Sequence, residues 1–395
     1  MSILHYAFLV SVAFAVTFAL TPTMRVLGVR WGIVAKPGGR SVHEGEVSRI
    51  GGIALFVGFA AAVAAQAVAE GFFGRGGDLL QGGRPVAGAL VGFAIIFTVG
   101  VLDDAFDLRP GPKLIGQALA ASAVVASGLR VDFVGNPLGG GLIQLGLLSV
   151  PVTMVWILGF TNVINLIDGL DGLAAGVSAI AAASFLVLAA QGNHAAAAAF
   201  AAALIGACLG FLRFNFNPAS VFMGDSGALF LGFALATVSL LGVMKSVAAI
   251  TLAVPLLIIG VPVFDTASAI VRRTRHGRPI QEADRGHIHH RLLGRGFNQR
   301  QTVLIIYLWS AALAVGGYAM RWAPSVIKLG TFVVLAALSS FMAYWLGLFE
   351  AAHHHVEEGS AGGAAGEVEP GPVQLPLAGL GDEEAGGAGT SDEDV

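Results

Sequence analysis

The residues best suited to chemistry lie in 162-NVINLIDGLDGLAAG-176, where Asn162, Asn165, Asp168 and Asp171 follow one another at three-residue steps. On a helix each step turns about 300°, so the four side chains drift slowly around one face. They end an apolar run long enough to lie in a membrane, where an unpaired carboxylate is costly. Such a stripe must face the protein interior or a hydrated cleft. Its amides and carboxylates can hold a ribose, a base or a metal ion. Gly169 and Gly172 permit a tight turn or the close approach of a ligand. Capping of the next helix accounts for Asp171. It leaves Asn165 and Asp168 unexplained, which favours a functional stripe.

Four further segments carry similar chemistry. In 102-LDDAFDL-108, Asp103 and Asp104 repel each other unless a cation or a shared proton intervenes. They can ligate Mg²⁺ or supply a base, although a solvated helix end is the plain alternative. In 215-NFNPASVFMGDSGAL-229, Asp225 opens a helix after Pro218 and is either an N-cap or a cation ligand. Phe222 there can stack on a flat ring or anchor at the membrane interface. The segment 271–300 holds eight arginines together with His287, His289 and His290. No Cys or carboxylate framework for zinc accompanies them, so phosphate contact or proton transfer fits better. Finally, 40-RSVHEGEVSRIGGI-53 sets Arg40, His43 and Arg49 beside a Gly pair, a combination suited to phosphate.

The elements that must position these groups are membrane helices. Hydrophobic residues make up 55% of the chain and charged ones only 12%, with a mean hydropathy of +0.78. Soluble domains average about 25% charged residues. The expected fold is an all-α polytopic membrane protein of about 10–11 transmembrane helices. Eleven candidate spans cover about residues 4–24, 51–69, 86–102, 114–130, 148–166, 172–190, 195–213, 227–244, 247–268, 301–319 and 325–347. The first lacks a positive leader region and reads as an uncleaved span. Residues 131–149 alternate around a Gly-rich turn and suggest a small external β-hairpin. Cys208, the single cysteine, falls inside an apolar run and reads as a small buried hydrophobe.

Charge then sorts the two faces. Residues 351–395 hold ten acids and no Lys or Arg, so the formal net charge of −3 hides a basic body. This stretch, with residues 348–350, is expected to be a disordered cytoplasmic tail, and His353–His355 within it incidental. Of the 22 Lys and Arg residues, 16 fall on one set of alternate loops and six on the other. The positive-inside rule makes the first set cytoplasmic and puts the N-terminus outside. All five polar segments sort to that cytoplasmic face, as walls of a single site would. They combine carboxylates for a hard cation with Arg and His for phosphates.

DDAFDL, NVINLIDGLDGLAAG, NPASVFMGDSGALFLG and HIHHRLLGRGFNQRQTVLIIY resemble the motifs of the polyprenyl-phosphate N-acetylhexosamine-1-phosphate transferases, over about residues 1–347. These are cell-membrane enzymes that join a sugar 1-phosphate from a UDP-sugar to a polyprenyl phosphate and release UMP. HIHHRLLGRGF and RSVHEGEVSRIGG are more similar to the UDP-GlcNAc:undecaprenyl-phosphate group than to the phospho-MurNAc-pentapeptide transferases. The latter typically show a triple-His run followed by an acid, and a GTPTMGG loop. The first loop departs from its own group at Ala35, Ser41 and Ser48, where Asp, Lys and Pro are common.

The resemblance implies UDP-GlcNAc as donor, undecaprenyl or another polyprenyl phosphate as acceptor, and Mg²⁺ as cofactor, with Mn²⁺ as its substitute. It assigns Asp225, Asn165 and Asp104 to the metal, and Asp103, Asp104 and His289 to catalysis. Asn165, Asp168, Asp171 and Phe222 fall to the uridine part, and Asn217 to substrate binding. His287, His290, Arg272, Arg273, His43 and Arg49 fall to phosphates or sugar. The bilayer is a partner and nucleic acid is not; family members are often homodimers. Two alternatives stand beside this reading: a phospho-MurNAc-pentapeptide transferase, and an ion-coupled transporter. A transporter calls for mid-membrane carboxylates and internal repeats, whereas here the acids cluster at span ends.

Overall fold

The computed structural model of the protein describes residues 2–35, 46–73, 82–135, 142–243, 253–275, 287–319 and 325–346. The acidic tail and His43 lie outside the described residues. Helices dominate. In order they are α1 (Ile3–Arg30), α2 (Gly51–Phe73), α3 (Gly83–Phe106), α4 (Pro110–Ala126), α5 (Ser149–Ile167), α6 (Leu173–Gln191) and α7 (Ala195–Asn215). There follow α8 (Gly224–Val238), α9 (Ala253–Ile258), α10 (Gly260–Arg275), α11 (Ile288–Gly294), α12 (Gln299–Ala319) and α13 (Ser325–Trp345). Eight helical stretches among the described residues are long and apolar enough to cross a membrane. The chain is an all-α, multi-pass membrane protein.

At the centre is α8. Its sequence, GDSGALFLGFALATV, has no polar face after the first turn, and every residue from Ser226 to Val238 is buried. A helix apolar all round belongs inside the bundle. It packs against α2, α3, α5, α6 and α7. Phe230 meets Phe56, Phe59 and Phe93 edge-on, with ring centres 5.1–5.9 Å apart. At its first turn small residues let backbones touch. A Cβ on Gly52 of α2 would stand 2.2 Å from the Gly227 nitrogen, and one on Gly100 of α3 would stand 2.4 Å from the Ser226 Cα. Such contact between small residues is the usual means of close helix packing in lipid. Here it fixes where Asp225 emerges.

Two short hairpins complete the fold. β3 (Phe133–Gly135) pairs antiparallel with β4 (Leu142–Gln144), Phe133 opposite Gln144, as the alternation of residues 131–149 predicts. β1 (Val34–Ala35) pairs with β2 (Val47–Ser48), which the sequence does not announce. The expected ninth span, 247–268, is corrected. Its described part is two helices, α9 and α10, and α10 runs on through Arg272 and Arg273 to Arg275. Pro262, which has no N–H to offer the preceding turn, accounts for the break.

Candidate active site

The α3–α4 connection builds the first wall. Asp107 ends α3 in the left-handed region, and Pro110 opens α4 at a position where a missing N–H costs nothing. This tight return folds Lys113 back over Asp103, whose Oδ2 lies 2.6 Å from the Lys113 ammonium. The same nitrogen lies 2.6 Å from Oδ1 of Asp225. Asn165 donates to that Asp225 oxygen at 2.6 Å and turns its own Oδ1 toward Lys113 at 3.5 Å. On the other side, Arg49 stands 3.6 Å from Asp225 Oδ2 and 3.4 Å from Asp107. Residues remote in sequence thus converge on one polar centre at an end of the bundle.

The adjacent acids Asp103 and Asp104 divide two tasks. Asp103 accepts from the Leu108 N–H at 2.9 Å and turns its other oxygen to Lys113. Asp104 accepts from the backbone N–H groups of Asp225 and Ser226, at 2.7 and 3.0 Å. It caps α8 from a different helix, because α8 has no side-chain cap of its own. Both Asp104 oxygens are engaged in holding the Asp225 backbone, a different task from the base or metal ligand expected of it. Gly224, with φ +64°, makes the approach feasible; a Cβ there would stand 2.4 Å from Asp104 Oδ1 and 2.1 Å from the Arg49 carbonyl.

The three-residue stripe sends each member to a different neighbour. Asn162 exchanges hydrogen bonds with Gln117 of α4, at 2.7 and 3.3 Å. Asn165 joins the Lys113 centre. Asp168, at the end of α5, lies near Asp225, Asp104 and Asp171; burial first, then those charges, pushes its carboxyl up to about 8. Asp171 is buried and accepts from the Asn217 amide and the Ala219 N–H, each at 3.0 Å. Asp171, expected at the uridine, and Asn217, expected at the substrate, here form a clamp between two loops. The N–H of Gly172, the N-cap residue of α6, is satisfied by the Asn215 side chain. Phe222 is half-buried, its backbone tied to Ser48 and Gly51.

The histidines approach from α11. His289 is 3% exposed, and its ring lies against Gly169, where a Cβ would sit 3.2 Å from Nε2. Burial, reinforced by His290, pushes the His289 imidazole down to about 3. Its ring is neutral at physiological pH, which suits a hydrogen-bonding partner better than a phosphate-binding cation. The ring of His287 is parallel to that of His289, 5.7 Å between centres, and His290 stands 4.3 Å from His289. Arg272 and Arg273 are buried on α10.

Comparison with known proteins decides the family. The chain is 37% identical over 342 residues to the probable undecaprenyl-phosphate N-acetylglucosaminyl 1-phosphate transferase of Bacillus subtilis, covering 87% of this chain and 92% of that protein. It is 37% identical over 326 residues to the decaprenyl-phosphate N-acetylglucosaminephosphotransferase of Mycolicibacterium smegmatis, covering 76% and 78%. The Glycosyl transferase family 4 pattern matches residues 86–243. The chain belongs to glycosyl transferase family 4. A phospho-N-acetylmuramoyl-pentapeptide-transferase, from Desulforudis audaxviator, is also similar: 34% identical over 336 residues, 78% of this chain and 96% of that one.

For a family 4 enzyme, the residue that sequence reasoning missed here is Lys113. The signal was available, since a cation in the first turn of a helix opposes the helix dipole and calls for an anion nearby. The donors around it also suit the metal that the family resemblance implies. Asp103, Asp225 and the Asn165 carbonyl are all hard oxygen donors converging on one positive charge. Among the described residues, no three His, Cys, Asp or Glu side chains gather as a complete cage. Mg²⁺ rarely needs one, because it binds through one or two carboxylates together with waters and substrate phosphates.

Proposed function

We propose that the protein transfers GlcNAc-1-phosphate from UDP-GlcNAc to undecaprenyl phosphate, or a related polyprenyl phosphate, at the cytoplasmic face of the cell membrane, releasing UMP. The observation that carries this reading is the convergence of Asp103, Asp225 and Asn165 on the Lys113 ammonium, with Arg49 alongside. Two fixed cations suit a diphosphate, and the carboxylates suit a hard divalent cation. Mg²⁺, held by Asp225 with Asp103 and Asn165, would neutralise charge on the diphosphate.

The protein's own groups carry the steps. Lys113 and Arg49 hold the diphosphate of the donor in line for displacement. An oxygen of the lipid phosphate attacks the β-phosphorus, forming a new P–O–P link. The bond from that phosphorus to the bridging oxygen breaks, and UMP leaves with the electron pair. Asp103 accepts the proton of the lipid phosphate. Asp168 and Phe222 face the uridine, while His287, His289 and His290 meet the sugar and its phosphate. Asp104, Asp171 and Asn217 hold the frame.

The test is UMP release by the purified full-length protein in detergent, with undecaprenyl phosphate and Mg²⁺. UDP-GlcNAc and UDP-MurNAc-pentapeptide are offered separately, with Asp225→Asn as control. Release from UDP-GlcNAc alone, abolished by chelation and reduced about 100-fold or more in Asp225→Asn, is the expected result. Release from the pentapeptide donor would transfer the chemistry to the other branch of the family. Unchanged turnover in Asp225→Asn would move the metal elsewhere.

A further inference from the structure

Asp265 belongs to none of the polar segments. It is a lone acid in 260-GVPVFDTASAI-270 of α10, and only 3% of it is exposed. A carboxylate so placed requires partners, and it has two. Oδ2 lies 3.0 Å from Nδ1 of His287, and Oδ1 accepts the Ile288 N–H at 2.8 Å. One side chain therefore fastens both the His287 ring and the entry to α11.

The chemistry of that bond fixes a proton. An ionised carboxylate only accepts, so the facing nitrogen of His287 carries hydrogen. This leaves Nε2 as the nitrogen available to anything else, and it has no hydrogen-bond partner among the described residues. The ring continues the stack through His289 to Gly169, beside the Asp168 turn. A cavity bordered by Asp265 and His289 has otherwise apolar walls, including Ile167, Leu173 and Ile306, which keep this end of the stack poorly hydrated.

We propose that Asp265 is a positioning residue of the reaction. It holds His287 in the Nδ1–H form, so that Nε2 is the atom that meets the sugar-phosphate of the donor. The inference rests on the role given to the histidine cluster under the proposed function, and its test separates the two.

Donor kinetics are measured by UMP release at varied UDP-GlcNAc for His287→Ala, Asp265→Asn, Asp265→Glu and the Asp265→Asn/His287→Ala double variant. The thermal midpoint of each is recorded in the same detergent. Asn at position 265 keeps an acceptor for the Ile288 N–H but presents an N–H to His287, which demands the opposite tautomer. The expected result is a loss in kcat/KM of about 10–100-fold for His287→Ala, the order of loss typical when the hydrogen-bond partner of a metal-bound imidazole is removed. A similar loss in Asp265→Asn, no further loss in the double variant, and partial recovery in Asp265→Glu complete the pattern. Asp265→Asn turning over like the unmodified protein overturns the inference. So do losses that multiply in the double variant, or a lowered midpoint with unchanged kinetics. If Asp265→Asn does not fold, Asp265→Glu combined with His287→Ala supplies the same cycle. Normal donor kinetics in His287→Ala would instead remove the cluster from donor binding, whatever the Asp265 variants do.

Discussion

Lys113 occupies the turn of α4 least favourable to a cation, and two carboxylates at 2.6 Å reverse that preference. Removing it leaves two largely buried acids facing each other. Lys113→Met should therefore destabilise the protein by about 3–5 kcal/mol, the usual consequence of breaking a buried ion pair. Millimolar Mg²⁺ should recover much of the lost thermal midpoint, because it neutralises the same oxygens. A midpoint indifferent to Mg²⁺ would place the cation site elsewhere. Asp168 makes a second, pH-dependent case. Its folded-state value of about 8 lies above the ordinary carboxyl range, so the folded chain binds this proton more tightly than the unfolded chain. Its contribution to stability is complete below about pH 4 and lost as pH rises to about 8. In the absence of divalent cations, Asp168→Asn should flatten the fall in thermal midpoint across that window. An unchanged pH profile would count against it. At this scale the sequence singled out Asp103, Asn165, Asp168 and Asp225, and the fold brings them close to one another. It could not say which of two adjacent acids faces the centre, because Asp103 and Asp104 differ only in the neighbour each one meets.

Among the elements, the start of α8 decides whether the site assembles. Gly224 takes a left-handed conformation in which the Asp104 carboxylate and the Arg49 carbonyl pass close by, and the two N–H groups that follow are held by Asp104. Gly224→Ala adds backbone strain of about 1–2 kcal/mol, together with a clash against both neighbours. The expected outcome is activity lost more than stability, since the rest of α8 remains packed and only Asp225 is displaced. UMP release normalised to folded protein, with the thermal midpoint alongside, checks this; normal activity would show the turn to be tolerant. The GDSG sequence made a helix start legible. That its cap comes from α3 was not, because the donor lies 121 residues away from its acceptor. Asp171 teaches the same point. Its position fits a cap for α6, yet one carboxylate oxygen reaches Asn217 and Ala219 across the loop, partners 46 and 48 residues away.

For the molecule as a whole, apolar runs revealed the helices. Connection in space was less visible. The break between α9 and α10 hides in the apolar run 253–264, and Asp265, which follows that run, gives no sign of its partner 22 residues later. The arrangement of faces rests on a broader pattern, because all the site segments sort to the set of alternate loops that together carry 16 of the 22 Lys and Arg residues. That excess predicts that the Lys113 centre opens to the cytoplasm, the side from which the proposed UDP-sugar donor would reach it. Cys208, the single cysteine, is buried, so a Cys208→Ala background allows the prediction to be read by labelling. Gly111, at the start of α4, has open space where a Cβ would stand, and Arg130, beyond the far end of that helix, is exposed. In intact cells a membrane-impermeant maleimide should modify the Arg130→Cys variant, and should reach Gly111→Cys only after permeabilisation. The reverse pattern would put the acids, Lys113 and Arg49 outside the cell, away from any UDP-sugar, and the proposed donor could not be the substrate.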